Sequence, residues 1–190
     1  VENVSRIDIQ DNGFITGVKS ADKSTFTPGD DITFRVDVTN PGTQAVRGAP
    51  ITLDIDGDGT PETVRGMTIR DALPEYLTIL PDSTDHDLPG RATPIFAGTD
   101  GNWTSDPNDI NGHIAGVGVF IRADADTDIV MDTLATAYFS FTVQTDPEAA
   151  PDAIENVVSV QYSDDDEPQE TKTNPVTVTK LPPLSARIVV

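Results

Sequence analysis

The chain has 190 residues, with 32 acidic side chains against 12 basic ones, a formal net charge of −20 and no cysteine. Charge of this sign repels phosphate backbones and anionic lipid, which excludes nucleic-acid binding through a basic surface. The missing cysteine excludes disulfides, thiolate zinc sites, iron–sulfur clusters and cysteine nucleophiles.

The chain opens on Val1, with no initiator Met and no apolar signal core, and is expected to begin at a mature or trimmed N-terminus. Residues 1–13 read as an N-terminal extension. Ile7 and Ile9 alternate with Arg6, Asp8 and Gln10 as a short strand, and Asp11-Asn12-Gly13 follows as a hinge. A single domain is expected over 14–180. Its strands are predicted at about 14–20, 32–40, 49–54 and 64–70, then at 114–122, 135–143, 154–162 and 174–180. The clearest are Ile32, Phe34, Val36 and Val38 on one face, and Ala135, Ala137, Phe139, Phe141 and Val143 on another. Between the two groups, residues 81–112 are polar and turn-rich, a surface excursion holding one or two short strands. Leu181-Pro182-Pro183 ends the last core strand, because proline donates nothing to a ladder. Residues 181–190 then form a C-terminal extension in which Leu184, Ala186, Ile188 and Val190 alternate with Ser185, Arg187 and Val189. No apolar run approaches the roughly 18 residues of a membrane-spanning helix. The class is all-β, and the spacing predicts an immunoglobulin-like β-sandwich of about seven core strands.

Twenty-five of the 32 acids are aspartate, a bias toward turns and cation-ligating loops. The sharpest local motif is Asp54-Ile55-Asp56-Gly57-Asp58-Gly59-Thr60-Pro61-Glu62. Carboxylates at positions 1, 3 and 5 converge when the chain curls, and Gly59 at position 6 permits the turn. Position 12 is Arg65, so the motif is not an EF-hand. The predicted calcium ligands are Asp54, Asp56 and Asp58, the backbone carbonyl of Thr60, and Glu62. The competing reading is an Asp-Gly hairpin with solvated acids. A second set, Asp124, Asp126 and Asp128, has the alternation without the glycine, and is either a cation site on an extended strand or a polar loop. His86 and His113 are isolated, and no nucleophile–base motif or phosphate cradle is legible, so no catalytic residue is assigned. Trp103 in Gly101-Asn102-Trp103-Thr104 is either a sugar platform or a buried cap. Asn3 and Asn102 fit the glycosylation sequon.

Three blocks of the chain resemble, in order, the prokaryotic surface-protein repeat family called domain of unknown function eleven. The first is Thr27-Pro28-Gly29-Asp30, the following strand and Asn40-Pro41-Gly42. The second is Asp71-Ala72-Leu73-Pro74 with Tyr76-Leu77-Thr78-Ile79. The third runs from Ile154 to Asp166 and on through Thr173-Asn174-Pro175-Val176. The resemblance covers about residues 14–180, leaving out the Asp54–Glu62 loop and the excursion. It implies an immunoglobulin-like fold, export to the cell surface or beyond, a structural role and no enzymatic activity.

The expected function is therefore a secreted structural subunit of an extracellular filament, tube or sheet, stabilised by calcium. Its partners are other copies of itself, joined head-to-tail by donated strands. Ile7 and Ile9 at one end, and Leu184, Ala186, Ile188 and Val190 at the other, are the candidate assembly residues, with residues 1–11 favoured as donor. The alternatives are an adhesive module that binds surface glycans, or one domain of a tandem-repeat surface protein.

Overall fold

A computed structural model describes residues 12–87, 92–164 and 167–182. Ile7, Ile9, Leu184, Ala186, Ile188 and Val190, and with them both candidate donor strands, lie outside the described residues.

The described chain is almost entirely β, in three sheets. The first holds β1 (Thr16–Ala21), β3 (Asp31–Thr39), β13 (Thr136–Thr145) and β7 (Leu77–Ile79) in that order, with β8 (Asp85–His86) also on β13. The largest runs β10 (Trp103–Thr104), β9 (Ala92–Gly98), β11 (Ile114–Arg122), β6 (Glu62–Ala72), β15 (Val158–Asp164), β4 (Val46–Arg47) and β12 (Ile129–Met131). To it are added β5 (Ala49–Leu53) on β6 and β16 (Glu167–Lys172) on β15. The third is β14 (Ala153–Asn156), β17 (Val176–Lys180) and β2 (Thr25–Phe26). All eight strands expected from alternation are present.

Alternation decides which faces meet. Ile32, Phe34, Val36 and Val38 of β3 and Phe139, Phe141 and Val143 of β13 are buried against Met67 and Ile69 of β6, Val117, Val119 and Ile121 of β11, and Val158 and Val160 of β15. The central strand β11 is buried on both faces, which accounts for its near-continuous apolar run. Its outward Phe120 joins Ala49, Ile51, Leu53 and Ile95 in a second, smaller core beneath β5 and Trp103. Gly66 is required at this layer, since a Cβ there would stand 2.3 Å from the Phe120 ring and 2.4 Å from the Ile121 carbonyl.

Two departures from expectation have physical causes. The excursion is not confined to the surface, because β9 inserts Ile95, Phe96 and Ala97 into the large sheet beside β11. Three short strands and two 3-10 turns occupy this stretch. The run 154–162 breaks at the exposed Val157. Asn156 turns inward there, and the Val158 N–H bonds the Thr173 hydroxyl at 3.1 Å, so β14 and β15 enter different sheets. The Asn40-Pro41-Gly42 turn is held by Asn40 itself, fully buried. Its Nδ2 donates to the carbonyls of Gln44 (2.8 Å) and Asp132 (3.1 Å), and its Oδ1 accepts from Gly42 N–H (3.0 Å).

Candidate functional site

The hairpin between β5 and β6 carries the acidic motif. Asp54 is 4% exposed, and its carboxylate organises the loop. Oδ1 accepts from the N–H groups of Gly57 (2.9 Å) and Asp58 (3.2 Å), and Oδ2 accepts from Gly59 (2.9 Å). Gly57 and Gly59 sit at φ 73° and 82°, where a side chain is strained, so the curl depends on both glycines. Asp56 and Asp58 are exposed. Each accepts one local N–H, Asp56 from Asp58 and Asp58 from Thr60. Carboxylate oxygens of Asp54, Asp56 and Asp58 come within 4.8 Å of one another, close enough to share a cation. Glu62 begins β6, and its carboxylate is not part of that convergence.

The same loop is stitched to the excursion. The Asp54 N–H donates to the Trp103 carbonyl, and the Ser105 N–H donates to the Asp54 carbonyl, both at 2.9 Å. The Thr104 hydroxyl, buried, reaches the Asp54 carboxylate at 3.4 Å. The acidic loop and the tryptophan, separate motifs in the sequence, thus share one cleft of about 360 Å3, lined also by Asp100, Asn102 and Asp109. Trp103 is half-buried. The Arg70 guanidinium lies 4.8 Å from its ring centre, and its edge covers Gly116. It therefore caps the second core while one side borders the cleft.

The second acidic set does not converge. Residues 124–128 form a turn rather than an extended strand. Asp124 Oδ1 accepts from Asp126 N–H, Thr127 N–H and the Thr127 hydroxyl, each at 3.1 Å. Asp128 adopts φ 58° and pairs with Arg65 at 3.4 Å. Among the described residues, the group of three acids able to hold a metal is Asp54, Asp56 and Asp58.

A further polar cluster went unread. Lys19 of β1 crosses the main core to Asp71 of β6, and the side chains of this ion pair are 0% and 1% exposed. Asn156 Nδ2 donates to the same oxygen, Asp71 Oδ2, at 3.0 Å, whereas Asp71 Oδ1 is buried with no hydrogen-bond partner. The Lys19 ammonium lies 4.6 Å from the Phe34 ring centre and 5.5 Å from that of Phe141. Burial pushes the Asp71 carboxyl up to about 6 against the pull of Lys19, and burial also lowers the Lys19 amine against the pull of Asp71. Both shifts favour the neutral pair. Strand parity is the signal that could have found the cluster: Lys19 shares the inward face with Ile15, and Asp71 shares it with Met67, Ile69 and Leu73.

No protein-family model and no curated protein matches the sequence. Similarity appears among solved structures. The full-length major pilin SpaD of Corynebacterium diphtheriae aligns with 86% of this chain at 10% identity and a TM-score of 0.54. A structure of SpaD domains D2 and D3 aligns with 85% at 13% identity and 0.53. The N-terminal domain of the Streptococcus gordonii adhesin Sgo0707 aligns with 87% at 12% identity and 0.51. The chain spans 35%, 51% and 32% of those three chains respectively. At such identities the likeness establishes the fold, an immunoglobulin-like β-sandwich.

Proposed function

We propose that the protein is a non-enzymatic structural module of the cell surface or extracellular space, that it assembles with copies of itself by strand donation, and that the Asp54–Asp58 loop binds calcium. The prokaryotic surface-repeat resemblance points the same way, and pilin and adhesin chains share the fold. The observation carrying the assembly is an open edge. Among the described residues β1 has a strand partner on one side only, β3; on its other side Asn174 engages the backbone of Lys19 alone, and Phe14 and Val18 stand 39% and 61% exposed. An unpaired edge with apolar side chains is a template for a strand from another chain. The long edge strand β16 is a poor acceptor, since Glu167, Pro168, Glu170 and Lys172 guard it. Calcium is supported by three close carboxylates in a chain of net charge −20, where like charges held together gain from a divalent ion.

Negative-stain microscopy of purified protein in EDTA and in millimolar calcium tests the reading. Regular fibres, tubes or sheets support it, and a monomer in both conditions refutes assembly. A second reading, a glycan-binding module, is favoured by the shared cleft. Trp103 there offers an apolar ring beside Asp54, Asp100, Asn102 and Asp109. It requires saturable glycan binding that Trp103→Ala abolishes.

A further inference from the structure

The Lys19–Asp71–Asn156 cluster is over-built for a structural ion pair. Two donors from different strands converge on one carboxylate oxygen while the other oxygen of the same group stays buried and orphaned. Buried ion pairs recover their desolvation cost only when every remaining lone pair is satisfied. Here an amine and a carboxamide meet at an acid, inside a buried shell made partly of Phe34 and Phe141.

We propose that this cluster is a self-modification site, at which Lys19 Nζ and Asn156 Cγ become joined in an intramolecular isopeptide bond, with Asp71 handling the protons. The shared acceptor places the amine beside the carboxamide, the entropic part of an intramolecular reaction. Burial favours an uncharged amine, whose lone pair is the nucleophile. Burial holds Asp71 protonated to unusually high pH, up to about 6, so a carboxylic acid stands ready at the reacting groups.

The steps balance without redox change or co-reactant. The Nζ lone pair forms the bond to Cγ, and the carbonyl π electrons move to Asn156 Oδ1, which takes the Asp71 proton. The Asp71 carboxylate then removes a proton from Nζ and delivers it to Nδ2. The electron pair on oxygen re-forms the carbonyl, the Cγ–Nδ2 bond breaks to release ammonia, and the hydroxyl proton returns to the Asp71 carboxylate. An amine and a primary amide become a secondary amide and one ammonia, and Asp71 ends without net change.

A second asparagine touches Lys19, and its role differs. The Asn174 carboxamide accepts from the Lys19 backbone N–H (2.9 Å) and donates to the Lys19 carbonyl (3.1 Å). Both of its ends are engaged by backbone, so Asn174 is a positioning residue that fixes β1 in register with the approach to β17. The bond would tie β1 of the first sheet to the junction of β14 and β15 across the main core.

The test is the intact mass of the full chain, purified folded and measured after denaturation, with peptide sequencing. The expected mass lies below that of the unmodified sequence by one ammonia, about 17 Da, and a branched peptide carries both Lys19 and Asn156. The full unmodified mass in folded wild-type protein overturns the proposal. So does a deficit mapped to the Asn12-Gly13 or Asn111-Gly112 pairs, where succinimide formation also releases ammonia. A loss of water with a Lys19–Asp71 linkage refutes Asn156 as the partner. Asp71→Asn and Asn156→Ala, each checked for folding by circular dichroism, are expected to keep the full mass; a branched peptide in folded Asp71→Asn removes Asp71 from the reaction. None of these readouts involves assembly or calcium.

Discussion

Two perturbations separate the architecture of the acidic loop from its proposed cation. Asp54→Ala removes the acceptor for the N–H groups of Gly57, Asp58 and Gly59 and leaves the Thr104 hydroxyl facing a gap. A hydrogen bond to a charged acceptor contributes about 1.5–3 kcal/mol, but water reaches most of this loop, so a total loss of about 2–4 kcal/mol is expected in EDTA. Asp56→Asn with Asp58→Asn behaves differently. Each side chain is exposed and accepts a single local N–H that an amide oxygen also accepts, so the double variant stays within about 0.5 kcal/mol of wild type in EDTA. Calcium reverses the order. A ligand bound to the native state alone adds RT ln(1 + [L]/Kd), about 2.7 kcal/mol at a hundredfold excess over Kd. For a chain of this size that is a rise of about 5–10 °C in Tm. Scanning calorimetry of the three proteins in EDTA, calcium and magnesium reads both effects. Wild type should gain in calcium well beyond magnesium, and the double variant should gain only what magnesium gives. An equal calcium gain in wild type and double variant would falsify the loop as the site.

Three more outcomes follow from particular residues. Deleting residues 1–11 is expected to give a folded, assembly-incompetent subunit by microscopy; if fibres persist and deletion of 184–190 stops them, the other end donates. Asn40→Ala strands two carbonyls and one N–H around a fully buried side chain, and should cost about 2–4 kcal/mol in urea unfolding. Gly66→Ala drives a methyl into the Phe120 ring and the Ile121 carbonyl, and should cost about 1–3 kcal/mol or more. An unchanged midpoint in either variant contradicts the packing described.

Strand existence was legible wherever one face meets the core and the other meets solvent. β3 and β13 show this most plainly, with every second residue buried. Legibility failed where both faces are covered or where composition mimics a loop. β9 lies between glycine, proline and aspartate clusters, and its three buried residues are consecutive, so neither periodicity nor flanks mark it. The convergence of Asp54, Asp56 and Asp58 was readable because spacing alone curls those carboxylates together. Their meeting with Trp103 was not, because it depends on a bridge between residues 50 positions apart. Lys19 was masked by its neighbour. Val18 is the more apolar residue, yet it points outward, and only parity with Ile15 places the lysine inside.

The contact between Lys19 and Asn174 also has a mechanical meaning. β1 and the approach to β17 stand far apart in the chain but adjoin in space, so tension entering at β1 and leaving at β17 has a short route between them. That route runs through the paired backbone bonds at Lys19 and the buried cluster one side chain deeper. The parallel pairing of β17 with β2, at Thr179–Thr25 and Lys180–Phe26, lies on the same route. Resistance to pulling is then governed by the rate at which these contacts open rather than by the total stability of the sandwich.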